Sequence, residues 1–381
     1  MKTIPKRFVL EGVPKVGFYQ GDPRCPEDIA FPAVMRSLLE YLGESDYGCK
    51  HSTSFKPGCA VSCAYSFMLG VCGAAFFLSW RPGWHMDNSQ ITYMSDDPAA
   101  PYRRALDSVG YGWDHIGKDE GHDEGFFRGR ILESLREKGR PVIAFGIIGP
   151  PESCIITGYD EAGDVLIGWS FFQNDPAFNA GVELEPSGCF RKRDWFAGRE
   201  GLLVISEKHD KPPLGEVYRE ALSWDLQVAR TPRVTAYGHE RFTGLAAYAA
   251  WAEHLARDDQ FPADNEALLR ERYQVHDQVV GSVAEARWYG CQFLIGMTER
   301  VDAGVHRDTI EELLHAAACY SGEHELMWRL WDLAGGLGNP EGFRRAADPS
   351  LRREMASLVL QSRDKDARAA DHLERALARW K

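Results

Sequence analysis

The chain contains no run of about 18 uninterrupted apolar residues, so no membrane-spanning helix is expected in its 381 residues. None of its nine cysteines forms a C-x-x-C pair, which removes the common structural zinc sites. Nine is an odd count, and spacings such as Cys59, Cys63 and Cys72 make no disulfide framework, so free thiols in apolar packing are expected. A basic stripe is missing too. Lys and Arg number 44 against 56 Asp and Glu, for a formal net charge of -12. A phosphate backbone wants a basic face, so nucleic acid is not expected as a partner. The densest basic stretch, "CFRKRDW" (Cys189 to Trp195), is short and reads as a solvated turn or strand end. "MKTIPKRFVLEGVPK" has an early proline and no long apolar segment, so no secretory signal is expected and the chain reads as cytoplasmic.

What is present divides the chain in two. A charged, proline-paired stretch, "SEKHDKPPLG" (Ser206 to Gly215), reads as a linker between domains at 1–205 and 216–381. Upstream, Phe31 to Leu42 carries apolar residues at helical spacing and stops at Gly43, a C-cap residue. Pro101 to Val109 and Glu124 to Lys138 are further predicted helices. Then come "PVIAFGIIG", "SCIITGY" and "VLIGWSFF", the last two joined by "DEAG", which predicts an antiparallel hairpin. "GCFRKRDW" and "GLLVISE" offer two more strands. Helices followed by an antiparallel sheet make an α+β layout.

Downstream, amphipathic patterns predict a helical bundle. Thr243 and Asp264 are predicted N-caps. Ser282, three residues before Glu285, has capping-box spacing and predicts the start of a separate helix. Trp251, Trp288, Trp328 and Trp331 are expected to knit this bundle.

Two motifs carry a family resemblance. "AFPAVMRSLLEYLG" (Ala30 to Gly43) is similar to the opening helix of papain-like bacterial enzymes, C-G-P-A-S-L-x-x-x-L-x-Y-x-G, matching at Pro32, Ala33, Leu39, Tyr41 and Gly43. "FMLGVCGAAFFLSW" (Phe67 to Trp80) resembles a glycine-rich segment of the butirosin-biosynthesis acyltransferases, with Gly70, Gly73 and Phe76 in place. The resemblance covers roughly the first two hundred residues and extends to bacteriocin leader peptidases. It implies a papain-like domain with a cysteine, a histidine and an orienting aspartate. None of the three is found at its matching position. Ala30 stands at the nucleophile position, Glu152 at the base position before "SCIITGYD", and Trp169 where the aspartate is expected. An alanine cannot attack a carbonyl, and a tryptophan cannot orient a base as a carboxylate does.

The expected function follows from these losses. The domain keeps its cleft for a small-molecule or peptide ligand, with an amine-bearing one favoured, and Ala30, Glu152, Cys154 and Trp169 as ligand-binding candidates. The alternative is an active acyltransferase or amide or thioester hydrolase, with Cys25, Gln20 and Glu152 as catalytic candidates. Glu27 and Asp28 beside Cys25 would raise its thiol pKa and work against that alternative. The cluster in "DHIGKDEGHDE" (Asp114 to Glu124) reads as a solvated acidic loop, and "GWHMDN" (Gly83 to Asn88) supplies His85, Asp87 and Asn88 with no metal-ligand spacing. "HERF" at His239 and "EHEL" at Glu323 read as helix-surface features. No cofactor and no metal are expected.

Overall fold

The computed structural model describes residues 5–18, 27–44, 63–88, 90–300 and 306–380. The fold is α+β. In chain order its elements begin with β1 (Phe8–Val9), α1 (Ala30–Tyr41), α2 (Cys63–Cys72), β2 (Ser79–Trp80), α3 (Ala100–Ser108), β3 (Tyr111–Gly117) and α4 (Glu124–Glu137). The strands β4 (Val142–Phe145), β5 (Ser153–Asp160), β6 (Val165–Trp169), β7 (Val182–Leu184) and β8 (Phe190–Lys192) follow, then α5 (Trp195–Gly198) and β9 (Gly201–Lys208). The rest comprises α6 (Leu214–Arg230), β10 (Arg233–Ala236), β11 (His239–Thr243), α7 (Gly244–Ala256), α8 (Glu266–Arg300), α9 (Arg307–Ala334), α10 (Gly342–Arg345) and α11 (Pro349–Arg379).

Contacts group the chain into two compact units, and the grouping does not follow chain order. One unit is 1–68 with 109–211; the other is 69–108 with 212–381. The sequence alone predicts one domain over 1–205. Residues 69–108 pack instead with the downstream helices. Gly70 shows why: a methyl group added there would meet the Phe293 ring at 2.3 Å, so the glycine permits α2 to approach α8. The glycine-rich motif is thus used for close packing in the helical unit. The boundary near 211 falls within the expected linker stretch, between β9 and α6.

The first unit is built on an antiparallel sheet ordered β3-β9-β4-β5-β6-β8-β7, with β1 added to β5. The DEAG hairpin forms as predicted, with β5 and β6 antiparallel through Asp160↔Val165 and Ile155↔Trp169. One face of the sheet, including Val142, Cys154, Ile156, Leu202 and Val204, packs on Phe127, Ile131 and Leu135 of α4. Helix α1 packs against β5, and its last residue, Tyr41, reaches the α4 layer. Gly43 closes α1 as predicted. Its φ is +73°, and Gly43 N and Glu44 N donate to Glu40 O (3.1 Å) and Leu39 O (2.9 Å), a Schellman pair.

The second unit is helical, with a small sheet ordered β10-β11-β2. Its core joins Trp80 and Trp84 to Trp251, Val279, Met327, Trp331 and Val359. Of the four tryptophans expected to knit the bundle, Trp251 and Trp331 are buried, Trp288 is half-buried and Trp328 is exposed. Ser282 does not start a helix. It lies inside the unbroken α8, and its hydroxyl donates back to Gln278 O at 2.9 Å. At the start of α8, Asn265 rather than Asp264 accepts from Leu268 N. Thr243 is the N-cap of α7 by position, but its hydroxyl donates to Thr231 O instead. No helix among the described residues is long and apolar enough to cross a membrane.

Candidate functional site

Helix α1 sets the first part of the site. Ala30 is its first residue and is buried at 5% exposure. Ile29 holds the N-cap position, gives no side-chain hydrogen bond, and its own N–H donates to Tyr65 Oη at 3.1 Å. The chain just before α1 is anchored by a buried ion pair. Arg36 donates from Nε to Glu27 Oε2 at 2.8 Å, and also to Glu40 and to Lys15 O. Burial dominates the Glu27 carboxyl and, despite Arg36, pushes it up to about 7.

The sheet sets the second part. Glu152 lies immediately before β5, half-buried, with its carbonyl accepting from Gly146 N at 3.3 Å. Trp169 ends β6 directly across from Ile155 and is 9% exposed. Two residues that the sequence reading passed over fix its surroundings. A methyl group at Gly188 would sit 3.3 Å from the Trp169 ring, so the glycine backs the indole closely. Gln173 accepts from Ser170 N (3.0 Å) and donates to Gly188 O (2.8 Å), lashing the two flanks of the tryptophan together.

Cys154 lies on the opposite face of the sheet from Trp169. Side chains alternate across a strand, so Cys154 points away from the face that carries Ile155 and Trp169. It is packed into the α4 layer, where burial pushes its thiol up to about 12. Gln20 and Cys25 lie outside the described residues. The acidic loop is spent on structure: Asp123 caps α4, Glu124 pairs with Arg128, and Asp114 pairs with Arg130. In "GWHMDN", Asn88 is a buried stitch that accepts from Arg81 N and donates to His85 O, and Asp87 pairs with Arg241. His239 lies exposed on a strand, not on a helix.

A second group of ionisable residues, shifted by burial, is in the helical unit. Glu323, read from sequence as a surface residue, is completely buried. It meets Arg287 of α8, which is also completely buried; Arg287 Nε lies 3.3 Å from Glu323 Oε2. Arg287 further donates to Asp366 Oδ2 (2.9 Å), Tyr248 Oη (2.9 Å) and Ala75 O (2.8 Å), and Tyr248 donates to Glu323. Tyr320 donates to Asp225 Oδ2 at 2.9 Å. Two carboxyl groups, Glu323 and Asp366, therefore share one guanidinium inside an apolar core, with Asp225 bonded to Tyr320. Burial first, and then repulsion from Asp366, pushes both Asp225 and Glu323 up to about 8, so both tend to hold a proton at neutral pH. A signal for this existed. Asp225, Arg287, Glu323 and Asp366 each fall on the apolar stripe of their helices, as in Tyr320, Glu323, Met327, Leu330. The arrangement can hold protons inside the core.

No protein-family model matches the chain, and no curated protein matches it at a significant level.

Proposed function

We propose that the sheet-bearing unit is a papain-like domain of the butirosin-acyltransferase kind that binds a ligand without cysteine catalysis, in the cytoplasm. We infer further that the ligand is a small amine-bearing molecule. The position of Ala30 carries this reading. It is the first residue of a helix packed against β5, where the related enzymes place their nucleophile, and its methyl group has no covalent chemistry. Glu152 before β5 supplies a negative charge, and Trp169 at the end of β6 supplies an aromatic face of the type on which a cation rests. Cys154, turned into the α4 layer, is no part of the proposed site.

The experiment is a thermal-shift comparison of polyamines and aminoglycoside-like amines with matched carboxylates, on the native chain, Glu152→Gln and Trp169→Leu. A bound ligand stabilises by mass action, so amines should raise the melting temperature of the native chain and do so less in either variant. No amine response, or one indifferent to both substitutions, would end this reading.

A second reading, an acyltransferase or hydrolase using Cys25, gains from one observation. One of the two charges expected to hold that thiol protonated, Glu27, is instead paired with Arg36. Timed alkylation followed by mass spectrometry addresses it. Fast and selective labelling of Cys25 near neutral pH marks an activated thiolate, and slow labelling removes the second reading.

A further inference from the structure

We propose that Glu312, His315 and His372 form a binding site for a divalent metal ion of the zinc class, on the helical unit and independent of the ligand site above. Glu312 and His315 stand three residues apart on α9, a spacing that puts both side chains on one face of the helix. His372 reaches them from α11, which packs against α9. One ligand atom from each of the three lies within 4.8 Å of the others. The imidazole rings of His315 and His372 are 5.0 Å apart between centroids. Two imidazoles and one carboxylate, with a water in the fourth position, make the ligand set of an open zinc site.

The side chains are supported as well as grouped. Glu312 keeps only 13% of its side chain exposed, and His372 23%. His372 and Arg375 both bond to the Glu312 carboxylate and hold it in place. His372 Nδ1 lies 2.7 Å from Glu312 Oε2. An ion bonded to both at about 2.0–2.2 Å widens that gap modestly and needs the Nδ1 lone pair, so the ring's proton moves to Nε2 or is released.

Two arginines oppose the ion. Arg375 donates to Glu312 Oε2 at 3.0 Å and approaches His372 Nδ1 at 2.7 Å, and Arg379 donates to Glu312 Oε1 at 3.2 Å. Both are nearly half exposed and long enough to swing into solvent. Arg379 can stay on the far carboxylate oxygen as an outer partner that orients it. Arg375 occupies the position the ion would take. The site is therefore one in which a guanidinium and a metal ion exchange for the same carboxylate.

The test uses the untagged full chain, stripped with a chelator and titrated with Co2+ by visible absorption and with Zn2+ by calorimetry. One ion per chain is expected, with no thiolate-to-cobalt charge-transfer band. His372→Ala should weaken binding about tenfold or more, and so should His315→Ala, whose exposed position leaves folding undisturbed. Arg375→Ala should tighten binding, an effect that a merely structural cluster would not produce. Absence of binding, an affinity indifferent to both histidine substitutions, or a charge-transfer band marking cysteine ligands would overturn the proposal.

Discussion

The phenol of Tyr320 donates to Asp225 Oδ2 at 2.9 Å, with both side chains sealed inside the helical unit. Tyr320→Phe keeps the shape of the ring and deletes the bond, leaving Asp225 buried without its donor. A loss of about 1–3 kcal/mol is expected in urea denaturation, the cost of one orphaned buried polar group. A loss under about 0.5 kcal/mol would mean that Asp225 finds another donor.

The same carboxyl makes stability depend on pH. Asp225 and Glu323 are pushed up to about 8 in the folded chain, whereas in the unfolded chain they release their protons near the usual carboxylate value of about 4. The folded state thus binds more protons between these limits, and stability falls as pH rises through them. His276 acts the other way. Burial keeps its ring neutral and pushes it down to about 4, so its contribution grows as pH climbs to the ordinary imidazole range and is then complete. Glu27, pushed up to about 7, is half titrated at pH 7 and adds a smaller fall in the lower part of the next interval. The interval from about pH 7 to 8 therefore belongs mainly to the two carboxyls, each able to contribute up to about 1.4 kcal/mol per pH unit. Denaturation across that interval should show falling stability, and Asp225→Asn should flatten the slope. An unchanged slope would place the proton elsewhere.

Among the described residues, Arg287 is the cation paired with Glu323 and Asp366. Arg287→Leu removes the cation and keeps both acids, so a loss of about 3–5 kcal/mol is expected. Replacing Arg287, Glu323 and Asp366 together by leucine should recover much of that loss, because an apolar core needs no compensating charge. If the triple variant is no better than the single one, the network is doing more than neutralising itself.

Gly281 tests the continuity of α8. It is inside the helix, and a methyl group there would stand 3.7 Å from Trp331 Cζ2, an ordinary contact. Gly281→Ala should stabilise the protein by about 0.5–1 kcal/mol, read from the urea midpoint. A break at Ser282, as the capping-box spacing suggested, would instead make the change neutral or harmful.

The elements with strong local signals were legible. The hairpin of β5 and β6 follows from two β-branched runs around "DEAG", and α1 follows from its apolar face and Gly43. The misreading at Ser282 has a clear cause. Its local cap chemistry competes with an apolar stripe, Val279, Val280 and Val283, that continues through the same turn and is buried against other helices, and the stripe prevails. Cys154 was misplaced because the facing side of a strand depends on where the covering helices pack, which residue types alone do not fix. The placement of residues 69–108 was not readable either, since Gly70 acquires its meaning only from Phe293, more than two hundred positions away. The buried acids were readable in principle, as charges on an apolar stripe, and were missed because one acidic residue among several exposed ones looks ordinary.

Grouping residues 69–108 with the C-terminal helices has a cost during synthesis. Trp80 stacks on Trp251 at 6.2 Å between ring centroids, yet it is made roughly 170 residues earlier. At bacterial-to-eukaryotic elongation rates that interval is on the order of 10 to 30 seconds. For that time Leu78, Trp80 and Trp84 lack the helices α7 and α8 that bury them, while the chain from 109 to 211 is completing the sheet-bearing unit. The nascent protein therefore carries an unburied tryptophan pair until α7 and α8 have been made.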